Sequence, residues 1–166
     1  SLGSMVVRRE FIKTCIAAFR ASDFLVILNI SKYLNASDFE VPSNITLCNF
    51  APQLEILSKA DLFITHGGMN SAHEGIYYEV PLVVLPQFGD QFLVAQQVVD
   101  QKLGIWLDHK KLSSGKLLKA VSKTMEDKQI KSRLANMSKA LKAAGGFEKA
   151  ADEVQAFIQK NVSCKN

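Results

Sequence analysis

Cysteine is scarce in this chain of 166 residues, and its three copies are far apart. Cys15, Cys48 and Cys164 are odd in number and have no metal-binding spacing, which excludes a disulfide framework and a cysteine-based metal site. Thiols of this kind are typical of a reducing compartment. The sequence therefore predicts a cytoplasmic protein.

Long apolar runs and dense positive charge are also lacking. No apolar run approaches the roughly 18 residues that suffice to span a bilayer, so stable membrane insertion is not expected. The lysines of residues 110–142 are spread at helical intervals, as on a solvated helix face, and they predict no nucleic-acid partner. The net charge of +4 suits an anionic ligand, and the length suffices for one domain with a real core.

Short apolar runs alternate with helical patterns along the chain. This alternation predicts an α/β fold with a doubly wound parallel sheet, similar to a Rossmann domain. Such sheets bind ligands at the carboxyl ends of their strands, and Phe50, His66 and residues 86–89 fall just past strand ends. The predicted strands are 24–30, 45–48, 62–65, 82–85 and 105–107, and the predicted helices include 53–59, 70–79, 90–101 and 147–159. The apolar residues of the last helix are expected to face inward.

A glycine turn joins the predicted strand 62–65 to the next helix. It consists of His66, Gly67 and Gly68. Glycines let the backbone approach a phosphate closely, and the free N–H groups of a first helical turn point toward an anion. His66 adds a donor that can become cationic. The turn is therefore a candidate phosphate site.

The helix after this turn begins with polar side chains. Asn70 or Ser71 can cap the helix or donate to the same phosphate oxygens. Glu74 lies one turn beyond Asn70 on the same face, where a carboxylate suits the two hydroxyls of a ribose. By spacing alone, the segment predicts a site for a phosphate and a ribose.

The pattern extends on both sides of the turn over about 45 residues. Its elements, in order, are Phe50-Ala51-Pro52-Gln53, Thr65 to Ser71, Glu74-Gly75, Val80-Pro81, Pro86 and Asp90-Gln91. In order and spacing they resemble the signature segment of the UDP-glycosyltransferases, family 1 of the GT-B class, and in style the bacterial macrolide-glycosyltransferase-like branch. The resemblance implies the C-terminal, donor-binding half of such an enzyme. Residues 1–166 would then be a single nucleotide-sugar-binding domain without the N-terminal acceptor domain.

The resemblance implies a role in nucleotide binding for several segments. Phe50 stands where the family has an aromatic residue that stacks on uracil, Gln53 resembles a glutamine near the base or ribose, and His66 would donate to the pyrophosphate. Residues 1–4 resemble the end of the family's first strand, although they also fit the remnant of an expression tag. The implied nucleotide-binding residues are Gly3, Ser4, Phe50, Ala51, Gln53, His66, Gly67, Gly68, Asn70, Ser71 and Glu74.

The donor sugar would be held by a second group of residues. Asp90 and Gln91 resemble the acid and amide pair that reads the sugar hydroxyls in the family. Met69 stands at a sugar-facing position where plant members have Trp, so a hydrogen bond from an indole is lost there. Glucose is the default donor sugar that this pair implies.

Plainer explanations remain open for most of these residues. They are a core phenylalanine at 50, a polar helix terminus at 53, a buried histidine bonded to a carbonyl at 66, a tight turn at 67–68, helix caps at 70–71 and 90, and a solvent-exposed helix charge at 74. The other two histidines, His73 and His109, have no partner at a useful spacing and are expected to lie on the surface.

The activity that the resemblance implies is transfer of a hexose from a UDP-sugar to a hydroxyl of a small-molecule acceptor, with inversion at the anomeric carbon. The family's general base belongs to the N-terminal domain, so this chain alone is expected to be inactive. A cofactor is not expected, and no Asp-x-Asp pair is present to hold a metal. Three alternatives are a UDP-sugar epimerase-like domain, the sugar-nucleotide-binding subunit of a two-chain glycosyltransferase, and a non-catalytic interaction domain.

Overall fold

The computed structural model describes residues 9–162, in which helices and strands alternate through the first two thirds of the chain. The predictions for Gly3 and Ser4 fall outside the described residues. The strands are β1 (Val26–Asn29), β2 (Ile45–Cys48), β3 (Phe63–Thr65), β4 (Leu82–Val84) and β5 (Gly104–Trp106). The helices are α1 (Arg9–Phe19), α2 (Gln53–Leu57), α3 (Met69–Tyr77), α4 (Gln91–Asp100), α5 (Ser114–Glu126), α6 (Ile130–Ala143) and α7 (Gly146–Val162), with short 3-10 turns at Ala36–Asp38 and His109–Lys111.

All strand pairs of the described residues are parallel. β1 pairs with β2, aligning Val26 with Ile45. β4 lies between β3 and β5 in a second sheet, with Leu82 aligned to Phe63 on one side and Gly104 on the other. Parallel neighbours need a crossover connection, which α3 and α4 supply in the second sheet.

Helices cover both faces of β4. Its side chains alternate between two apolar cores, as the two-residue period of a strand requires. Leu82 and Val84 pack in a core with residues of α3, α4 and α6, whereas Val83 and, just past the strand, Leu85 pack in a core with residues of α1, β1, β2 and α5. The prediction of a doubly wound α/β fold with parallel strands is therefore confirmed.

The C-terminal helix α7 differs from its sequence-based expectation. Its apolar residues were expected to face inward, but residues 146–161 are all exposed, including Val154, Phe157 and Ile158. The periodicity of a helix predicts an apolar face but does not specify which surface covers it. Within the described part of the chain, no helix is long and apolar enough to cross a membrane.

Candidate functional site

The turn after β3 is built so that only glycine fits at its centre. Thr65, the last residue of the strand, is fully buried, and its Oγ1 accepts a hydrogen bond of 3.3 Å from the N–H of Gly67. Gly67 has a φ of +82°, a region that side chains rarely adopt. A Cβ there would lie 2.7 Å from Cγ1 of Val84 and 3.3 Å from the carbonyl oxygen of Gln91. The turn therefore packs directly against β4 and the first residue of α4.

Helix α3 starts from a residue without a side chain. Gly68 occupies the N-cap position, and the helix runs from Met69, one residue before the expected start. Neither Asn70 nor Ser71 is the cap, so that plainer explanation for them is wrong. A Cβ at Gly68 would lie 2.6 Å from Nε2 of His66, which shows that the imidazole lies against the Gly68 backbone. The positive end of the α3 dipole is thus next to His66 and is not covered by a capping side chain.

A hydrogen-bonded amide joins the loop after β2 to α3. Nε2 of Gln53, the first residue of α2, donates to Oε2 of Glu74 over 2.5 Å and to Oγ of Ser71 over 3.3 Å. Gln53, Ser71 and Glu74 are all half-buried. Glu74 is therefore not a free helix-surface charge, and Gln53 is more than a polar helix terminus.

Phe50 is available to a ligand. It follows the end of β2, and 81% of its surface is exposed, which rules out a core role. Ala51, next along, is half-buried. Asn49 fixes the backbone just before this ring, because its Nδ2 donates to the carbonyls of Ser31 and Leu34 over 2.6 and 2.8 Å. Asn49 was not among the predicted site residues. The available signal was its place in the sequence, as a polar residue between a predicted strand and Phe50.

The Asp90-Gln91 pair begins α4 and divides into an exposed and a buried member. Asp90 occupies the N-cap position, as the plainer explanation expects, but its side chain makes no capping hydrogen bond and remains exposed. Gln91 is buried, and its Oε1 accepts from the backbone N–H groups of Gln87 and Phe88 over 2.9 and 3.4 Å. Met69, the third residue of the predicted sugar-binding group, is 48% exposed at the start of α3.

His109 contacts the same loop from the opposite end. It was expected to be a surface histidine, yet it is half-buried, and its Nδ1 lies 2.8 Å from the carbonyl oxygen of Pro86. No sequence pattern links these two positions, because they lie 23 residues apart and meet only when β4 and β5 pair. His73 is exposed, as expected.

Three segments therefore meet at the carboxyl ends of the strands. Gln53 joins the loop after β2 to α3, and Gly67 joins the turn after β3 to the start of α4. Together they present helix N–H groups, an imidazole and carboxylates, which are donors for a diphosphate and acceptors for sugar hydroxyls. Among residues 9–162, no three or more His, Cys, Asp and Glu side chains are grouped to hold a metal ion.

Comparison with known proteins identifies the family. The model of the family described as UDP-glucoronosyl and UDP-glucosyl transferase matches residues 1–143. The chain belongs to this family. The NDP-glycosyltransferase YjiC of Bacillus subtilis is 44% identical over 153 residues, which are 92% of this chain and 39% of the relative. The oleandomycin glycosyltransferase of Streptomyces antibioticus is 28% identical over 161 residues, covering 95% of this chain and 37% of the relative.

A solved structure agrees with the fold. The glycotransferase of kitacinnamycin superimposes with a TM-score of 0.88 at 35% identity, covering 94% of this chain and 41% of that one. These findings confirm the resemblance to family 1 glycosyltransferases of the GT-B class and to macrolide-glycosyltransferase-like enzymes. The chain spans about two fifths of the length of the relatives it matches.

Proposed function

We propose that this chain is the donor-binding half of an inverting glycosyltransferase, which transfers a hexose from a UDP-sugar to a hydroxyl of a small-molecule acceptor. The observation that carries this proposal is the amide of Gln53, which bonds both Ser71 and Glu74 beside the glycine-capped start of α3. The Gln53 side chain thus joins the segment that would bind the uracil base to two other candidates. They are Ser71, a candidate phosphate ligand, and Glu74, a candidate ribose ligand.

The diphosphate would lie at the start of α3. Its oxygens would accept hydrogen bonds from the backbone at Gly67 and Gly68, from Asn70 and Ser71, and from the His66 imidazole. Gly3 and Ser4 belong to the same proposed group, by resemblance alone. UDP gains negative charge as it leaves, and one preorganised donor of this kind contributes roughly 3 kcal/mol, or about a hundredfold in rate. Such donors would stabilise the charge of the diphosphate, and we propose no metal or other cofactor for this step.

The nucleoside would extend from the diphosphate toward the loop after β2. Phe50 would stack on uracil, which its exposure permits. Glu74 would accept from the two ribose hydroxyls, as an acid does in dinucleotide folds. Gln53 would hold that carboxylate in place, and the small Ala51 would let the chain pass close to the nucleoside.

The sugar would lie between α3 and the start of α4. The exposed carboxylate of Asp90 would accept from sugar hydroxyls, while Gln91 would offer the amide nitrogen that its bonds to the loop leave unused, and Met69 would line the pocket. A carboxylate acceptor suits a neutral hexose, so we propose glucose.

The reaction would proceed by a single displacement. The acceptor oxygen attacks the anomeric carbon on the face opposite UDP, the bond from that carbon to the phosphate oxygen breaks, and the acceptor proton goes to a general base. We place that base and the acceptor pocket in a second domain, outside this chain. The chain by itself would bind the UDP-sugar without turnover. Its free thiols, Cys15 and Cys48, support a cytoplasmic location.

Calorimetry tests this function directly. UDP and UDP-glucose are titrated into the wild-type chain, into His66→Ala and into His73→Ala, a matched control because His73 is an exposed histidine of the same region. A hydrogen bond to a charged group contributes about 1.5–3 kcal/mol, so His66→Ala is expected to weaken UDP binding roughly tenfold to a hundredfold. His73→Ala should bind like the wild type. Absence of UDP binding to the wild-type chain would overturn the proposed function, and equal affinities for all three proteins would remove His66 from the phosphate site.

A further inference from the structure

Side chains fix the loop of residues 86–90, which follows β4 and ends at Asp90. Oε1 of Gln91 accepts from the N–H groups of Gln87 and Phe88, so one amide closes the loop on itself. Gly89 has a φ of +62°, which gives the loop its turn just before Asp90. The position of the Asp90 backbone thus depends on contacts made elsewhere in this loop.

His109 holds the other end of the loop. Its Nδ1 lies 2.8 Å from the carbonyl oxygen of Pro86, and because a carbonyl only accepts, Nδ1 carries the hydrogen. The backbone on either side of His109 is itself held in place. The N–H of Leu107 donates to the carbonyl of Val84 over 2.8 Å, and the Asp108 carboxylate accepts from the N–H of Lys110 over 2.9 Å. β4 is thus linked to the 3-10 turn that carries His109.

We propose that His109 is a positioning residue that holds the 86–90 loop in the geometry in which Asp90 meets the donor sugar. This inference rests on the proposed function, since it assigns the loop to the sugar of a UDP-sugar. His109 acts through Pro86 and need not touch the ligand. Its hydrogen bond therefore matters for the sugar and not for the UDP portion, which α3 and the loop after β2 would bind.

The test compares two substitutions of His109 with a control. His109→Phe keeps a ring of similar size but removes the donor, whereas His109→Asn keeps an N–H near the position of Nδ1. His73→Phe is the matched control on an exposed histidine. The dissociation constants of UDP and of UDP-glucose are measured by calorimetry for each chain.

A neutral hydrogen bond of ordinary strength corresponds to about a fivefold effect on the dissociation constant. His109→Phe is expected to weaken UDP-glucose binding about fivefold with UDP binding unchanged, His109→Asn should restore it, and His73→Phe should have no effect.

Amide hydrogen exchange reports on the loop without a ligand. Exchange at Gln87 and Phe88 is expected to quicken in His109→Phe and to return to the wild-type rate in His109→Asn, because the loop opens when Pro86 loses its partner. Faster exchange with an unchanged ratio of UDP-glucose to UDP affinity would reduce His109 to a structural role and overturn the inference. Unchanged exchange would overturn it as well. Absence of UDP binding to the wild type would instead overturn the proposed function, and the inference with it.

Discussion

The side-chain amide of Gln53 donates to the carboxylate of Glu74 over 2.5 Å, although the two residues are 21 positions apart and belong to different helices. This contact fixes Glu74 in one orientation before any ligand arrives. A preorganised carboxylate loses less conformational freedom on binding than a free one. The contact therefore links the sequence of the loop after β2 to the affinity of the proposed ribose site.

Removal of this amide should weaken nucleotide binding. Gln53→Ala is expected to reduce UDP affinity about fivefold, which corresponds to one hydrogen bond of about 1 kcal/mol. Gln96→Ala is the matched control, because Gln96 is exposed on α4 and its amide also donates to a carboxylate, that of Asp100, over 2.7 Å. Calorimetry with UDP measures both. Equal affinities for the two variants would separate Gln53 from the nucleotide site.

The exposed ring of Phe50 should contribute to base binding and not to stability. Stacking of a base on an aromatic side chain is worth about 1–3 kcal/mol, so Phe50→Ala is expected to weaken UDP binding roughly tenfold and Phe50→Trp to strengthen it. Phe147→Ala is the control, since Phe147 is 84% exposed at the start of α7. Both alanine variants should melt like the wild type. A lower melting temperature for Phe50→Ala would show that the ring serves packing instead.

Substitution of Gly67 should destabilise the fold. An alanine there must adopt a φ of +82° and place its Cβ 2.7 Å from Val84, which together cost about 2 kcal/mol or more. Gly115 offers the opposite case, because nothing lies within 4 Å of a Cβ at this position in the first turn of α5. Gly115→Ala should raise stability by up to about 1 kcal/mol. Urea unfolding followed by circular dichroism measures both, and a neutral Gly67→Ala would contradict the close packing of the turn.

The two cysteines of the described chain should resist alkylation to different degrees. Burial raises the pKa of the Cys15 thiol to about 12 and also raises the pKa of the half-buried Cys48. A raised pKa means less thiolate at any pH below it, and the thiolate is the nucleophile. Iodoacetamide at mildly alkaline pH should modify Cys48 slowly and leave Cys15 intact, as mass spectrometry would show. Both should react in concentrated urea, and rapid labelling of Cys15 in the folded chain would contradict the position of α1.

Local pattern predicted the bounds of the five strands to within two residues. The strand predicted over residues 45–48 is β2 without a shift, and the one at 82–85 ends one residue earlier at Val84. The apolar helix α7 was placed correctly but not its environment, since the described residues leave Val154 and Phe157 exposed. Periodicity reports which residues need a partner and does not report where that partner lies.

The sequence supplied candidate site residues but not their contacts. Spacing put Glu74 one turn beyond Asn70 on α3, and in the structure its carboxylate accepts from Gln53. The bond from Gln53 to Glu74, the burial of Gln91 and the contact of His109 with Pro86 each join separate elements. Such contacts depend on how strands pair and helices pack, which a single sequence does not encode in any local pattern.

On the proposed function, several loops at the carboxyl ends of the strands bind one diphosphate nucleotide together. A titration of the isotope-labelled chain with UDP, followed through its amide resonances by NMR, is the sharpest test. The largest shifts are expected together at residues 50–53, 66–71 and 74, with saturation at a single dissociation constant. Shifts confined to the groove beside α1 that Lys13, Arg20, Asp38 and Glu40 line, with none at residues 66–71, would contradict it.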